Sequence, residues 1–587
     1  MRKTKLWLVL ILAFSLVLTA CGKNDTKIED APKEDVTEKV EEEVKDEKEE
    51  VKEEVPAETE EVESDDERSS DKLVYAITSS PEGKFNPLIS NTQYDGYVNS
   101  LVYDSLLHMN DNLDIENGMA ESYDVSEDSK KVTFVLKDNI FFHDGNPVTA
   151  EDVAFTFSSL AHPDYQGDLK SYVDSIEGFE TYNNGEAETL SGIVVVDDKT
   201  VELNFEEPYS PVLINLGTLG ILPKHVWSEV ELSNWTEYSD ASSSPIGSGP
   251  YVFKQYMSNE FVEFEGFDKY YDGQPKINKF IFKVVNESTA QAELIQKSVD
   301  VSDVSNIKKS ESDQLEASDV TIKRFPNSKI QYMGFNLRDE RLQDINLRTA
   351  MAYGIDRDAI VEGLLEGHGF VINTPMVPTL WSYPKDGLIE YKMDVDKATE
   401  LLGEAGYADS DGDGIVDKDG ENLKFVLTVP TGDKIREQTG AIIQENLKKI
   451  GIEIELEAMD FNAVMDKVVG NHEFDLYLMG NTLGADPDPT PNWYSTQASD
   501  EKGVFAWNIA GFRSEEADAL MDENKKELDQ GKRAEILQEF GKLLNTELPW
   551  VPLYAADTTK AYRSDLKGYS PNTFVEFYNV QNWELGN

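Results

Sequence analysis

An α/β fold with mixed sheets, shared among more than one domain, is predicted by three observations. From Leu73 onward, short apolar runs of period two alternate with runs of helical spacing. Strands that alternate with helices pack as sheets covered by helices. The chain has 587 residues, 39% of them apolar, which is enough for several cores. No internal repeat is present, which argues against a solenoid.

The first 71 residues stand apart. Arg2, Lys3 and Lys5 precede an apolar run of 15, Leu6 to Ala20. That run is too short to span a bilayer and suits a signal peptide, residues 1–20. It ends in Leu18-Thr19-Ala20-Cys21-Gly22. Small residues before a cysteine resemble the bacterial lipobox, which implies lipidation of Cys21, the only cysteine in the chain. Several acyl chains at one end would hold the protein to the outer face of a membrane. The rest of 21–71 is expected to be an acidic disordered tether. Residues 22–71 carry 23 Asp/Glu against 8 Lys/Arg, with no aromatic residue to nucleate a core.

Charge and cysteine usage exclude several functions. A net charge of −59 opposes nucleic-acid binding, which needs a basic footprint. One cysteine cannot form an internal disulfide. The six histidines are scattered, with no HExxH, so a catalytic zinc site has no support. No nucleophile elbow or Cys/His pairing stands out.

In chain order, Leu73–Ile77 reads as the first strand. A polar stretch, Asn91 to Gly96, leads into a helix through Leu101, Leu106 and Leu107. Val132, Phe134 and Leu136 alternate with Thr133, Val135 and Lys137, the pattern of a half-buried strand. His143-Asp144-Gly145-Asn146-Pro147 is turn chemistry. Thr149 follows as a helix N-cap, its hydroxyl able to accept from a free backbone N–H, with Glu151 and Asp152 in the first turn. Ile193–Val196 and Val201–Phe205 form a hairpin. Pro245 to Tyr251 (PIGSGPY) is glycine-rich, but no Lys-Ser/Thr follows and a strand comes next, so it is not a phosphate loop. Strands are expected at Phe280–Val285, Phe425–Val429, Ile452–Leu456 and Phe474–Met479. Helices are expected at Asp344–Ile355, Ala398–Gly406, Ile435–Ile450 and within Ala517–Leu544.

The run from Glu121, ESYDVSEDSKKVTFVLKDNIFFHDGNPVTAEDV, closely resembles the signature of the family 5 extracellular solute-binding proteins. PIGSGPY, DINLRTAMAYGI (344–355) and Leu548-Pro549-Trp550-Val551-Pro552-Leu553-Tyr554 resemble further stretches of that family, so the resemblance spans about 72–587. It implies a two-lobed, periplasmic-binding-protein-like fold of the large peptide-binding class, with a hinge. Lobe I would be 72–327, with a subdomain at about 105–245. Lobe II would be 328–551, and 552–587 would return to lobe I. It implies a monomeric receptor that captures oligopeptides in the inter-lobe cleft and delivers them to the permease subunits of an ABC importer, with no catalysis. Binding of a dipeptide, an oligosaccharide or a nickel complex, or a surface hydrolase, are the alternatives.

The resemblance also nominates residues. Asn91, Thr92, Gln93 and Tyr94 would line one wall of the cleft. The chain after the strand at Phe474–Met479 would form the other: Thr482, Leu483, Gly484, Asp486, Trp493 and Tyr494, with Asp486 receiving a peptide's α-ammonium. Leu483 stands where relatives often have tryptophan, and Trp493 and Tyr494 would compensate. Separately, Asp409 to Asp417 matches D-x-D-x-D-G-x-x-D. Carboxylates at alternate positions can wrap a hard cation, so Asp409, Asp411, Asp413, the Ile415 carbonyl and Asp417 are candidate ligands for a structural Ca²⁺. Gly420 stands at the twelfth position, where an EF-hand needs glutamate, so a full EF-hand is absent.

Overall fold

The computed structural model describes residues 70–586, except 238 and 306–308. The signal peptide, Cys21 and nearly all of the tether lie outside the described residues. The body is built on one mixed sheet of eleven strands. Its path runs Glu453–Met459, Lys424–Pro430, Leu476–Thr482, Val320–Phe335, Trp550–Arg563, Val301–Asp303, Lys72–Ile77, Lys279–Val284, Phe261–Gly266 and Tyr251–Met257, with Gly369–Val371 beside Trp550–Arg563.

Two long antiparallel strands, Val320–Phe335 and Trp550–Arg563, carry that path from one half of the molecule to the other. Val320–Pro326 pairs with Asp557–Arg563 in the half that contains Lys72–Ile77. The register then shifts between Pro326 and Ile330. Proline has no N–H to give a ladder, so pairing breaks there. Asn327 holds the bulge: its Oδ1 accepts from Lys329 N–H at 2.8 Å, and its Nδ2 donates to Thr558 Oγ1 at 3.2 Å. Lys329–Phe335 then pairs with Leu476–Thr482 on its other edge. Separate apolar cores lie on either side of the shift. One gathers Leu73, Phe134, Trp227 and Phe280; another gathers Met333, Leu347, Phe425 and Leu447. A third packs Tyr332 and Trp550, stacked at 3.6 Å, with Trp493 and Phe540.

A second sheet of four strands, Ala120–Val125, Lys131–Leu136, Thr200–Asn204 and Ile193–Val195, sits on the first core. Val132, Phe134 and Leu136 are buried, as the alternation requires. The helix Ala150–Ala161 follows. Thr149 is its N-cap, as expected, in a capping box with Asp152: the Thr149 N–H and hydroxyl also donate to Asp152 Oδ2, at 2.9 and 2.8 Å. A hydroxyl can donate and accept at once, so the carboxylate three residues on adds a charge-assisted bond to the cap. The early helix differs from the expectation. It ends at Val102, and Leu107–Met109 is a strand paired with Ile115–Asn117.

The two signature turns meet. His143 N–H donates to Gly247 O at 2.8 Å, Gly247 N–H donates to His143 Nδ1 at 3.3 Å, and His143 Nε2 lies 3.0 Å from Gly249 O. Burial pushes the His143 imidazole down to about pKa 4, which keeps it neutral with the proton on Nε2. The glycines serve close approach. A Cβ on Gly247 would lie 2.0 Å from Val102 O at the end of the helix Gln93–Val102.

The halves also touch away from the long strands. Leu113, at the turn between Leu107–Met109 and Ile115–Asn117, is 2% exposed and packs in the core that holds Tyr332 and Phe540. Its φ of +67° is a left-handed conformation costly for leucine. Asn110 braces it, accepting at Oδ1 from the N–H groups of Asn112 and Asp114, both at 2.9 Å. From the far side, Gln530 Nε2 donates to Leu113 O at 2.8 Å.

Gly247→Ala should destabilise the protein by about 1–3 kcal/mol, the range for overpacking a filled space. Urea unfolding monitored by tryptophan fluorescence measures it; a midpoint equal to wild type would contradict the close approach.

Candidate functional site

A cavity of about 860 Å³ opens between the halves. Tyr172, Asp174, Tyr209, Ile214 and Thr218 line one wall; Gly484, Asp488, Trp507 and Lys525 belong to the other. A neighbouring cavity of about 550 Å³ shares Ile214, Thr218, Leu219 and Ala485 with it and reaches Tyr97, His108 and Glu576. The first wall hangs on a short helix, Val212–Asn215, and a tight turn at Gly217, where a Cβ would lie 2.1 Å from Leu213 O.

The second wall grows out of the strand Leu476–Thr482. Its ladder with Val320–Phe335 ends at Lys329↔Thr482, and Leu483 N–H still donates to Ser328 O at 3.0 Å. Gly484 and Ala485 lie past the ladder and line the cavities. A strand end that emerges into a cleft can lend main-chain partners to an extended guest.

Asp486 is already committed. Its Oδ2 and Oδ1 accept from Arg533 Nη1 and Nη2, at 2.8 and 2.9 Å, and both side chains are buried, 6% and 4% exposed. Oδ1 also accepts from Asp488 N–H at 3.0 Å. Arg533 Nε donates to Asn524 Oδ1 at 3.0 Å, which fixes the fork. This bidentate pair neutralises the charge expected to meet a guest's ammonium. Asp486 therefore anchors the wall to the helix Gln530–Glu547.

The other nominated residues divide. Thr482, Leu483, Gly484 and Asp486 line a small cavity of about 80 Å³, and Gly484 and Asp486 also line the large one. Trp493 borders the small cavity but is 3% exposed and packs on Trp550 at 4.3 Å, so it supports the wall as core. The Tyr494 hydroxyl donates to Asp522 Oδ1 at 3.0 Å, and Lys525 Nζ lies 4.8 Å over its ring. Asn91, Thr92, Gln93 and Tyr94 line neither of the two main cavities. Thr92 is the N-cap of Gln93–Val102, Gln93 donates to the Tyr97 hydroxyl, and the Tyr94 hydroxyl accepts from Thr78 N–H at 3.1 Å. Ser90, Gly96, Tyr97, Asn99 and Ser100 line the second cavity instead, because the helix presents its later turns to it. Asp174, Tyr209, Ile214, Thr218 and Trp507 carry no local motif and were not nominated.

In the second cavity the charged groups have internal partners. His108 Nε2 lies 2.5 Å from Asp104 Oδ1, and the Tyr270 hydroxyl donates to Asp104 Oδ2 at 2.8 Å. Burial works against the His108 charge, but Asp104 outweighs it and holds its pKa above the ordinary value. Glu576 pairs with the buried Lys560 at 3.3 Å and accepts from the Tyr75 hydroxyl at 2.5 Å.

At the acidic loop, the carboxylates of Asp409, Asp411 and Asp413 come within 4.8 Å of one another, all exposed. Asp417 does not join them; its Oδ2 accepts from Ser410 N–H at 2.9 Å. Ile415 N–H donates to Asp413 Oδ1 at 2.8 Å.

Asp486→Ala should cost about 3–5 kcal/mol, because it strands a buried guanidinium. Replacing both partners by apolar residues, Asp486→Leu with Arg533→Met, should cost less. Chemical denaturation of the three proteins tests this, and a single variant as stable as wild type would contradict the pair.

Comparison with known proteins agrees with this architecture. The model of the bacterial extracellular solute-binding proteins, family 5 Middle, matches residues 114–504. The oligopeptide-binding protein AppA of Bacillus subtilis is 30% identical over 512 residues, which cover 85% of this chain and 89% of that protein. Its structure in complex with a nonapeptide superposes with a TM-score of 0.65 at 28% identity, covering 88% of this chain and 99% of that one. NikZ of Campylobacter jejuni, solved with Ni(L-His), gives a TM-score of 0.66 at 26% identity, covering 88% and 100%. The two-halved mixed sheet, the paired signature turns and a match over most of the body lead to one assignment: the chain belongs to the family 5 bacterial extracellular solute-binding proteins.

Proposed function

We propose that this protein captures oligopeptides between its two halves and delivers them intact to the permease of an ABC importer, held at the outer face of the cell membrane by lipid on Cys21. The observation that carries the reading is the cavity of about 860 Å³ beside a strand end that has left its ladder at Thr482. A strand-like guest can continue the sheet there through main-chain bonds, which recognise any peptide sequence. The nonapeptide complex of the Bacillus relative supports an extended guest of that kind. The match to families of binding proteins supports capture over hydrolysis. A nickel–histidine complex, as in the Campylobacter structure, is the rival guest. It is disfavoured because His108, the histidine lining these two cavities, is held by Asp104.

Titration calorimetry of residues 72–587 with a mixed-sequence nonapeptide should give one site per chain. Mass spectrometry should recover the peptide uncut. Cleavage products would point to a hydrolase, and no heat with peptide but binding of a nickel–histidine complex would favour the rival. Cys21→Ser, expressed in a bacterial host, should shift the protein from the membrane to the medium; a fully membrane-bound variant would refute lipidation.

A further inference from the structure

The large cavity has an uneven charge balance, and the imbalance names a class of guest. Its carboxylates are Asp174, Glu207, Asp486 and Asp488, and its one lining cation among the described residues is Lys525. Two of the four acids are answered from outside the cavity: Asp486 by Arg533, and Glu207 by Lys130 at 3.3 Å. Asp174, on the facing wall, and Asp488, on the same wall as Lys525, share that one cation. Lys525 is itself drawn to the rim, over the ring of Tyr494.

Asp488 is the more telling of the two. Its Oδ1 accepts from Thr490 N–H at 3.1 Å and Thr490 Oγ1 at 2.7 Å, which aims the group, but neutral donors do not cancel its charge. Burial is the main force lifting the Asp488 carboxyl above its ordinary pKa, and the neighbouring Asp486 adds to it, against the pull of Thr490 and Arg533. A cation entering the cavity would relieve that cost. The walls suit the stem that would carry it. Burial and nearby aspartates raise the phenols of Tyr172 and Tyr209, so both remain neutral rings, and the Trp507 indole stands 53% exposed at the cavity. Aromatic faces favour a cation above them and cover the methylenes of a long basic side chain. By contrast, the charged groups of the second cavity, Asp104, His108 and Glu576, have internal partners.

We propose that the cleft selects peptides bearing a lysine or arginine, whose side-chain cation is taken by Asp488 with Asp174 on the facing wall. This rests on the peptide-capture reading above and adds to it the preferred side chain and the residue that sets register.

The test is competition. The full chain, solubilised in mild detergent, is incubated with an equimolar pool of nonapeptides, all with free termini, built on one alanine-serine background. Each peptide carries a single Lys, Gln or Glu at one position, scanned along the chain, and retained peptides are quantified by mass spectrometry. At its best position Lys should be retained about tenfold over Gln, the size of one charge-assisted bond in a desolvated site, and Glu least. Asp488→Asn keeps the Oδ1 acceptor for Thr490 and should reduce that preference to about twofold or less. Asp174→Asn, at an exposed position, should reduce it without touching the fold. Equal retention of Lys and Gln in the wild type overturns the inference while leaving peptide capture standing. So does a Lys preference that survives both substitutions. Retention of no peptide at all overturns the capture reading and this inference together.

Discussion

The body depends on one antiparallel pairing, Val320–Phe335 against Trp550–Arg563. Neither strand belongs to one half alone. Their lower parts complete a sheet around Lys72–Ile77, and their upper parts complete one around Leu476–Thr482. The first of two register shifts, between Pro326 and Ile330, falls where one apolar core gives way to the others; the second lies between Gln331 and Tyr332. A proline that cannot donate interrupts the ladder here, and the Asn327 side chain supplies bonds locally. Two halves of one sheet that meet at such a point could rotate about it while each keeps its core, which is how hinge proteins enclose a guest.

The wall of the cleft shows the same economy of parts. The strand at Leu476–Thr482 is buried while it pairs and becomes cavity lining when it stops. Asp486 and Arg533 fix the chain just after that point to a helix 47 residues further on, by two parallel charge-assisted bonds. That tie holds Gly484 and Ala485 in place at the bend that follows the strand. Rigid support behind a backbone edge keeps that edge in place at the cleft.

Local features were legible in the sequence and non-local ones were not. The alternation of Val132, Phe134 and Leu136 and the turn at His143–Pro147 follow from neighbours in the chain, and the structure has them. The family and the fold class followed from stretches of the same kind. The site was harder. A motif placed Asp486 beside the cleft but could not reveal Arg533, because an ion pair between positions 486 and 533 leaves no spacing signal. Trp493 offered an aromatic ring for a pocket, yet the ring is spent on Trp550. The facing wall, Asp174, Tyr209 and Ile214, comes from segments with no periodicity or motif, brought there only by the tertiary fold. At the helix cap, Thr149 was legible as the N-cap, but the return bonds from its N–H and hydroxyl to Asp152 were not.

Leu113 gives the clamp a threshold. Withdrawing a fully buried leucine into water costs about 1.5–3 kcal/mol, and the Gln530 bond goes with it. By itself that would keep the gaping form to roughly one molecule in ten to one in a hundred and fifty. The left-handed backbone at Leu113 offsets part of this on release, as a cocked spring does. In the capture cycle proposed above, parting the two sides would then be a discrete snap rather than a gradual drift, with one tooth to be pulled from its socket first.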